Sequence, residues 1–191
     1  MGHRCLVIAI SGPPGSGKST LASAIARRLG LRYHSTGAIF RRIASEKGVS
    51  VEELDRIAEK DPSIDLAIDS KAKEEAMRGS VVVEGHIATW MVKDYADLLI
   101  YVTASIETRA KRVAARDGIS IEEARRRIEI REESMRRRFK NLYSIDISDL
   151  SIHDIIINTE RIDVSTMIKI VLTAIEEIIR NRDAQTRCSQ N

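Results

Sequence analysis

Along the chain, short apolar runs that end in turn residues alternate with longer stretches in which apolar residues recur every three or four positions. The first run, Cys5 to Ile10, is apolar throughout and stops at Ser11-Gly12-Pro13-Pro14-Gly15, as a buried strand does when it meets a turn. From Lys18 to Leu29 the residues Leu21, Ala22, Ile25, Ala26 and Leu29 keep helical spacing, and Gly30 supplies the stop. Leu31 to His34 reads as a second, short strand. Thr36 or Gly37 opens a helix that runs through Phe40 and Ile43 to about Lys47, where Gly48 breaks it. Ser50 with Glu53 three residues on predicts an N-terminal cap and a helix to about Lys60. Asp61-Pro62 resets the chain before a helix from Ser63 to Met77.

Three further strands follow: Ser80 to Glu84, Asp97 to Thr103 and Asp154 to Asn158. Between the last two, the pattern predicts a helix from Ile106 to Arg116 and a long one from a Ser120–Glu123 cap to about Asn141. A closing amphipathic helix, Ser165 to Arg180, carries Met167, Ile168, Val171, Ala174, Ile175 and Ile178 on one face. Strands alternating with helices predict an α/β fold, a mostly parallel sheet of five strands covered on both faces. The expected organisation is a single domain over residues 1–182, with residues 183–191 as a disordered tail.

Composition narrows this picture without redirecting it. Hydrophobic residues make up 43% and charged residues 31%, a balance typical of a soluble globular chain, while aromatics are only 4%. The core must therefore be built from Ile, Leu, Val and Ala. A net charge of +3 is too small to require a polyanionic partner. Arg outnumbers Lys by 22 to 9, which favours two-point grips on phosphate. Cys5 reads as a core residue and Cys188 as part of a polar tail, so no disulfide framework is expected, as in a reducing compartment. No apolar run reaches the ~20 residues a membrane span needs, and the expected location is the cytoplasm.

The chemistry concentrates first at Gly12-Pro13-Pro14-Gly15-Ser16-Gly17-Lys18-Ser19, which fits the phosphate-loop pattern G-x-x-x-x-G-K-[ST] without mismatch. The glycines let the backbone curl so that successive N–H groups point inward at phosphate oxygens. The helix that starts near Lys18 adds the positive end of its dipole. Lys18 reaches the β- and γ-phosphates, and Ser19 offers its hydroxyl to Mg²⁺. A buried strand before the motif and an amphipathic helix after it supply the required context. The motif binds a nucleoside triphosphate and leaves open what receives the phosphate.

Beyond the loop, Ser35-Thr36-Gly37-Ala38-Ile39-Phe40-Arg41-Arg42 follows the second strand, and Val81-Val82-Val83-Glu84-Gly85-His86 closes the third. With the Arg131-Glu132-Glu133-Ser134 block and the run from Tyr143-Ser144-Ile145-Asp146 to Asn158-Thr159, this order resembles the P-loop nucleoside monophosphate kinases, over roughly Cys5 to Ile179. Within them it is most similar to the short, archaeal-type cytidylate kinases. The resemblance implies a three-layer P-loop fold with a helical acceptor-binding segment at about 36–78 and a lid at about 112–140. It implies transfer of the ATP γ-phosphoryl group to CMP and dCMP, with Mg²⁺ as cofactor, and a monomer with no stable nucleic-acid partner and no membrane.

Residue by residue, the resemblance puts ATP on Gly12 through Ser19, Thr20, Arg112 and Arg116, with Arg112 stacked on the base. It puts the acceptor on Ser35, Gly37, Arg41, Glu84, Gly85 and His86, with Arg41 gripping its phosphate. Ser19 is the metal residue, and Glu84 a second one through water. Lys18, Arg131 and Arg138 are the catalytic cations, with Arg136 next in line. His86 stands where these relatives tend to carry Arg, which replaces a permanent charge with a titratable one. Arg109 and Lys111 are expected to be solvated, as is Arg42, and Trp90 to serve packing. Asp61, Asp65 and Asp69 lie in the acceptor-binding helices, where one could accept from a cytosine amino group. Two other classes remain open: a P-loop kinase for AMP, UMP or a small metabolite, and a non-enzymatic nucleotide-binding module.

Overall fold

The computed structural model describes the backbone of residues 6–188 and the side chains of residues 6–180. Cys5 and residues 189–191 lie outside the described residues. In chain order the elements are β1 (Val7–Ser11), α1 (Lys18–Leu29), β2 (Arg32–Ser35), α2 (Thr36–Glu46), α3 (Val51–Lys60), α4 (Ser63–Met77), β3 (Val81–Glu84) and α5 (Ala88–Val92). They continue with β4 (Leu98–Thr103), α6 (Ile106–Asp117), α7 (Ile121–Tyr143), β5 (Ile155–Asn158) and α8 (Val164–Cys188).

The five strands are all parallel, in the order β2-β3-β1-β4-β5. β1 is central: Ile8 aligns with Val82 on one side and Leu98 on the other. Strand side chains alternate between faces, so Ile8 and Ile10 pack against Leu21 and Ile25 of α1 and Met167, Val171 and Ile175 of α8. Val7 and Ala9 face the opposite layer, with Ala72 and Ala76 of α4, Val92 of α5, and Met135 and Phe139 of α7. Each fully buried Val, Leu or Ile contributes about 1.5–3 kcal/mol. These two layers therefore supply most of the driving force.

Two satellite clusters carry the appendages. Phe40, Ala44, Leu54, Ala58, Ile64 and Ile68 hold α2, α3 and α4 together. Ala110, Val113, Ala114, Ala124 and Ile128 clamp α6 onto α7. β1 sits where the strand order reverses, the position at which open α/β sheets leave a crevice.

Local chemistry explains most element boundaries. Ser35, Ser50 and Ser120 each accept from the backbone N–H three residues on, capping α2, α3 and α7. Gly30 ends α1 in the left-handed conformation at φ 65°. One element is unforeseen and one expectation falls short. The one-turn-and-a-half helix α5 has no side-chain cap and no apolar periodicity long enough to read. The closing helix continues through Cys188, into the stretch expected to be a tail; residues 181–188 contain neither Gly nor Pro to stop it. Among the described residues no helix is long and apolar enough to cross a membrane.

Candidate active site

The loop between β1 and α1 takes positive φ at Gly12 (153°), Gly15 (78°) and Gly17 (97°), conformations that only glycine adopts at low cost. Space is short as well as torsion. A Cβ on Gly12 would overlap the Val102 carbonyl oxygen, and one on Gly15 would come within 2.8 Å of the Arg109 carbonyl oxygen. Lys18 opens α1, and its ammonium donates to Pro13 O at 3.3 Å and lies 3.9 Å from Glu84 Oε1. Burial pushes its pKa down to about 8 against the pull of Glu84, and Arg131, Arg41 and Arg116 add to the depression. An anion in the cavity would reverse that depression, because it supplies the charge the cluster of cations lacks.

Glu84 is the hub between the two halves. It is 1% exposed, at the end of β3. Its Oε1 accepts from Ser19 Oγ at 3.0 Å; its Oε2 accepts from Ser35 Oγ at 2.7 Å and Tyr33 OH at 3.2 Å. The Ser35 hydroxyl in turn accepts from Ala38 N–H at the start of α2. The carboxylate thus ties the first turn of α1 to the N-terminus of α2, and Arg41 follows on that helix. Gly85 is needed next to it, since a Cβ there would overlap the Thr36 hydroxyl.

A cavity of about 910 Å³ opens above these groups. Its wall includes Pro14 to Thr20 of the loop and α1, Gly37 and Arg41 of α2, Glu84 and His86 after β3, Arg112 and Arg116 of α6, Arg131 of α7, and Thr159 after β5. Most of the expected site residues therefore meet on one space. Gly12, Pro13, Ser35 and Gly85 stand behind the wall and shape it. Arg41 is exposed and makes no hydrogen bond or ion pair among the described residues, which leaves its guanidinium available to a ligand. Arg42 pairs with Glu46 on the outer face, as expected.

The expected cations divide by environment. Arg131 lies 3.5 Å from Asp55 through Nε, its guanidinium 5.7 Å from the Phe40 ring centre, and it borders the cavity. Its Nε is buried without a hydrogen-bond partner. Arg138 is instead sequestered: it holds both oxygens of Asp65 at 3.0 and 2.9 Å and Asp55 at 2.8 Å. It faces a smaller recess beside the main cavity, together with Asp65, Asp69 and Phe40. Gly37, His86 and Arg131 border both spaces. Arg136 pairs with Glu133 at the surface.

Other side chains differ from expectation. Arg109, expected in solvent, is 7% exposed and bonds Ala104 O, Pro14 O and Glu132; α6 turns that face inward to close its apolar stripe against α7. Arg112 donates to Thr159 Oγ1 at 2.8 Å and Thr159 O at 2.9 Å, so its nitrogens face the protein. Arg116 pairs with Asp117 at the mouth of the cavity. His86 sets Nδ1 3.2 Å from Gly12 O. Burial, with Lys18 and Arg131 nearby, holds it well below the usual imidazole range. A neutral ring donating there presents Nε2 as an acceptor. Trp90 packs edge-on against Tyr101 and His153, a structural role. Arg127, which the sequence did not single out, also borders the cavity.

In the recess, burial pushes Asp69 up to about 7 despite the Tyr143 hydroxyl that donates to it at 2.8 Å. Asp61 lies outside, capping Ser63. Ser19 and Glu84 bring two hard oxygen donors together on the cavity wall, a fit for a divalent ion that draws its other ligands from phosphate and water.

The chain matches the family described as "Cytidylate kinase-like family" over residues 7–161. It is 48% identical over 175 residues to a cytidylate kinase from Staphylothermus marinus, covering 92% of this chain and 99% of the relative. A cytidylate kinase from Ignicoccus hospitalis is 54% identical over 153 residues, covering 80% and 89%. Among solved structures, a gluconokinase from Sinorhizobium meliloti 1021 superposes with a TM-score of 0.62 at 14% identity, covering 96% and 99%. A shikimate kinase from Acinetobacter baumannii in complex with shikimate gives 0.59 at 18%, covering 91% and 94%. The last two share the fold.

Proposed function

The chain belongs to the cytidylate kinase-like family, and we propose on that footing that it transfers the γ-phosphoryl group of ATP to CMP and dCMP, giving CDP or dCDP and ADP. The observation that carries the reading is one cavity with two cationic walls. Lys18 and the loop amides stand on one side and the unpaired Arg41 on the other, with Arg131 reaching in from α7.

In this reading the loop amides and Lys18 hold the triphosphate, and Arg41 fixes the acceptor phosphate. An oxygen of that phosphate forms a bond to the γ-phosphorus as the bond to the β–γ bridging oxygen breaks, and ADP leaves. The transition state is loose, with charge spread over the transferred oxygens, so positioning and electrostatics supply the acceleration. Lys18 and Arg131 face that charge. Mg²⁺ would be held by Ser19, with Glu84 orienting its water, and would neutralise the β- and γ-phosphate oxygens. Arg138 acts on the acceptor side, where its pairs with Asp55 and Asp65 shape the recess that takes the base.

At about 30 Å³ the recess has room for only a water or two. Acceptor binding therefore requires the α2–α4 arm to move relative to α7, as lids and arms of such enzymes do. The domain is single and closes with α8, with an arm at 36–78 and a lid at 112–140; the protein works as a cytoplasmic monomer without nucleic acid. The deciding experiment sets ATP against CMP, dCMP, UMP, AMP and GMP in an ADP-release assay. Turnover greatest with CMP supports the reading, and preference for another acceptor overturns the cytidylate assignment.

A further inference from the structure

The loop can aim its N–H groups inward only if its carbonyls are held outward, and each carbonyl oxygen from Gly12 to Ser16 has a side-chain partner. Gly12 O lies 3.2 Å from His86 Nδ1, Pro13 O accepts from Lys18, and Pro14 O accepts from Arg109 at 3.2 Å. Gly15 O and Ser16 O each lie 3.4 Å from Arg112 Nη1, a long contact, and Ser16 O accepts from Thr159 Oγ1 at 3.0 Å. His86, Lys18, Arg112 and Thr159 also border the cavity. Arg109 does not; it works entirely from behind.

Arg109 also ties the loop to α7. Its Nε donates to Ala104 O at 3.0 Å, at the end of β4, and the Nη1 that holds Pro14 O also pairs with Glu132. Glu132 is on α7, the residue after Arg131. One buried guanidinium thus spans the end of β4, the phosphate loop and the helix that carries the cation facing the transferred group. Its own backbone lies directly beneath the loop, where a Cβ on Gly15 would meet the Arg109 carbonyl.

We propose that Arg109 is a positioning residue that fixes the phosphate loop and Arg131 relative to each other through Pro14 O and Glu132. Without the tie, the loop amides and Arg131 no longer converge on the same phosphorus. The kinetic part of this inference rests on the kinase reading; the loop part does not, because nucleotide binding alone reports it.

The test compares Arg109→Met, which keeps the stem and removes the donors, with Arg109→Lys and Glu132→Ala, at a temperature where melting curves show each protein folded. Arg109→Met is expected to lower kcat roughly 10–100-fold and weaken a non-hydrolysable ATP analogue several-fold by calorimetry, with the CMP KM within about twofold. Arg109→Lys restores part of both losses, since an ammonium reaches one of the acceptors. Glu132→Ala, in which Arg109 still holds Pro14 O, lowers kcat about fivefold or more while analogue affinity stays within about twofold. A folded Arg109→Met with wild-type kcat and analogue affinity, losses equal for ATP and CMP, or an unchanged kcat in Glu132→Ala would overturn the proposal. If Arg109→Met does not fold, Glu132→Ala decides alone. Wild-type turnover with ATP and CMP tests the kinase reading separately.

Discussion

Ser19 donates its hydroxyl to Glu84 Oε1 at 3.0 Å, which joins the start of α1 to the end of β3 across the floor of the cavity. Glu84 faces Lys18 on the same oxygen and Ser35 on the other. Glu84→Gln keeps the shape and removes the charge. Turnover is expected to drop roughly 10–100-fold, with a comparable rise in the Mg²⁺ concentration needed for half-maximal rate. A metal titration of the variant that superimposes on the wild type would remove Glu84 from the metal's surroundings.

Lys18 is the only ammonium among the described residues that borders the cavity. Lys18→Met is expected to lower kcat by about 10²–10³, the effect of losing one preorganised charge worth about 3–4 kcal/mol. The melting temperature should change little, because relief of the buried, depressed ammonium is offset by the loss of the cation beside buried Glu84. Steady-state rates and a thermal melt check the two parts.

Arg41 carries no ion pair among the described residues, so its removal strands no buried partner. Arg41→Ala is expected to raise the acceptor KM about 10–100-fold, in line with about 1.5–3 kcal/mol for a charge-assisted hydrogen bond. The ATP KM should change less than about twofold. Equal effects on both substrates would place Arg41 outside the acceptor's grip.

Gly85 meets Thr36 so closely that any Cβ overlaps the hydroxyl and lies 3.2 Å from Thr36 Cβ. Gly85→Ala is expected to cost about 1–3 kcal/mol of stability. Thr36→Ala in the same chain should recover part of it by removing the oxygen. Denaturant midpoints of the two single variants and the double variant give the answer.

Asp69 is held up to about 7 by burial, above its unfolded value near 4. Between those values the folded state binds the extra proton, so this residue's penalty is absent below about pH 4 and fully present above about pH 7. Stability should therefore decline across that window as pH rises. Asp69→Asn still accepts from Tyr143 and should flatten the decline, gaining up to a few kcal/mol at pH 8 at about 1.4 kcal/mol per unit. Unfolding curves of both proteins at pH 5 and pH 8 measure the difference.

The phosphate loop was legible because its chemistry is contiguous. Glycines, Lys18 and Ser19 act within eight residues, and each is required by what the backbone does there. Caps such as Ser50 and Ser120 were legible for the same reason. Arg109 was not, because spacing tells which residues share a helix face and not which face turns inward. Arg138 was placed by motif among the catalytic cations, yet its partners Asp55 and Asp65 lie on α3 and α4, 83 and 73 residues away. No local pattern encodes a pair of that separation.

By itself the sequence determined where most strands and helices run and that a phosphate-loop motif joins β1 to the start of α1. Those outcomes follow from periodicity, glycine torsion and caps, all set within a few residues. Only the tertiary structure decided which of the many arginines reach the cavity, which brace it from behind and which are locked to buried acids. Desolvation and ion pairing depend on what distant helices bring to each guanidinium, and that is fixed when the layers close.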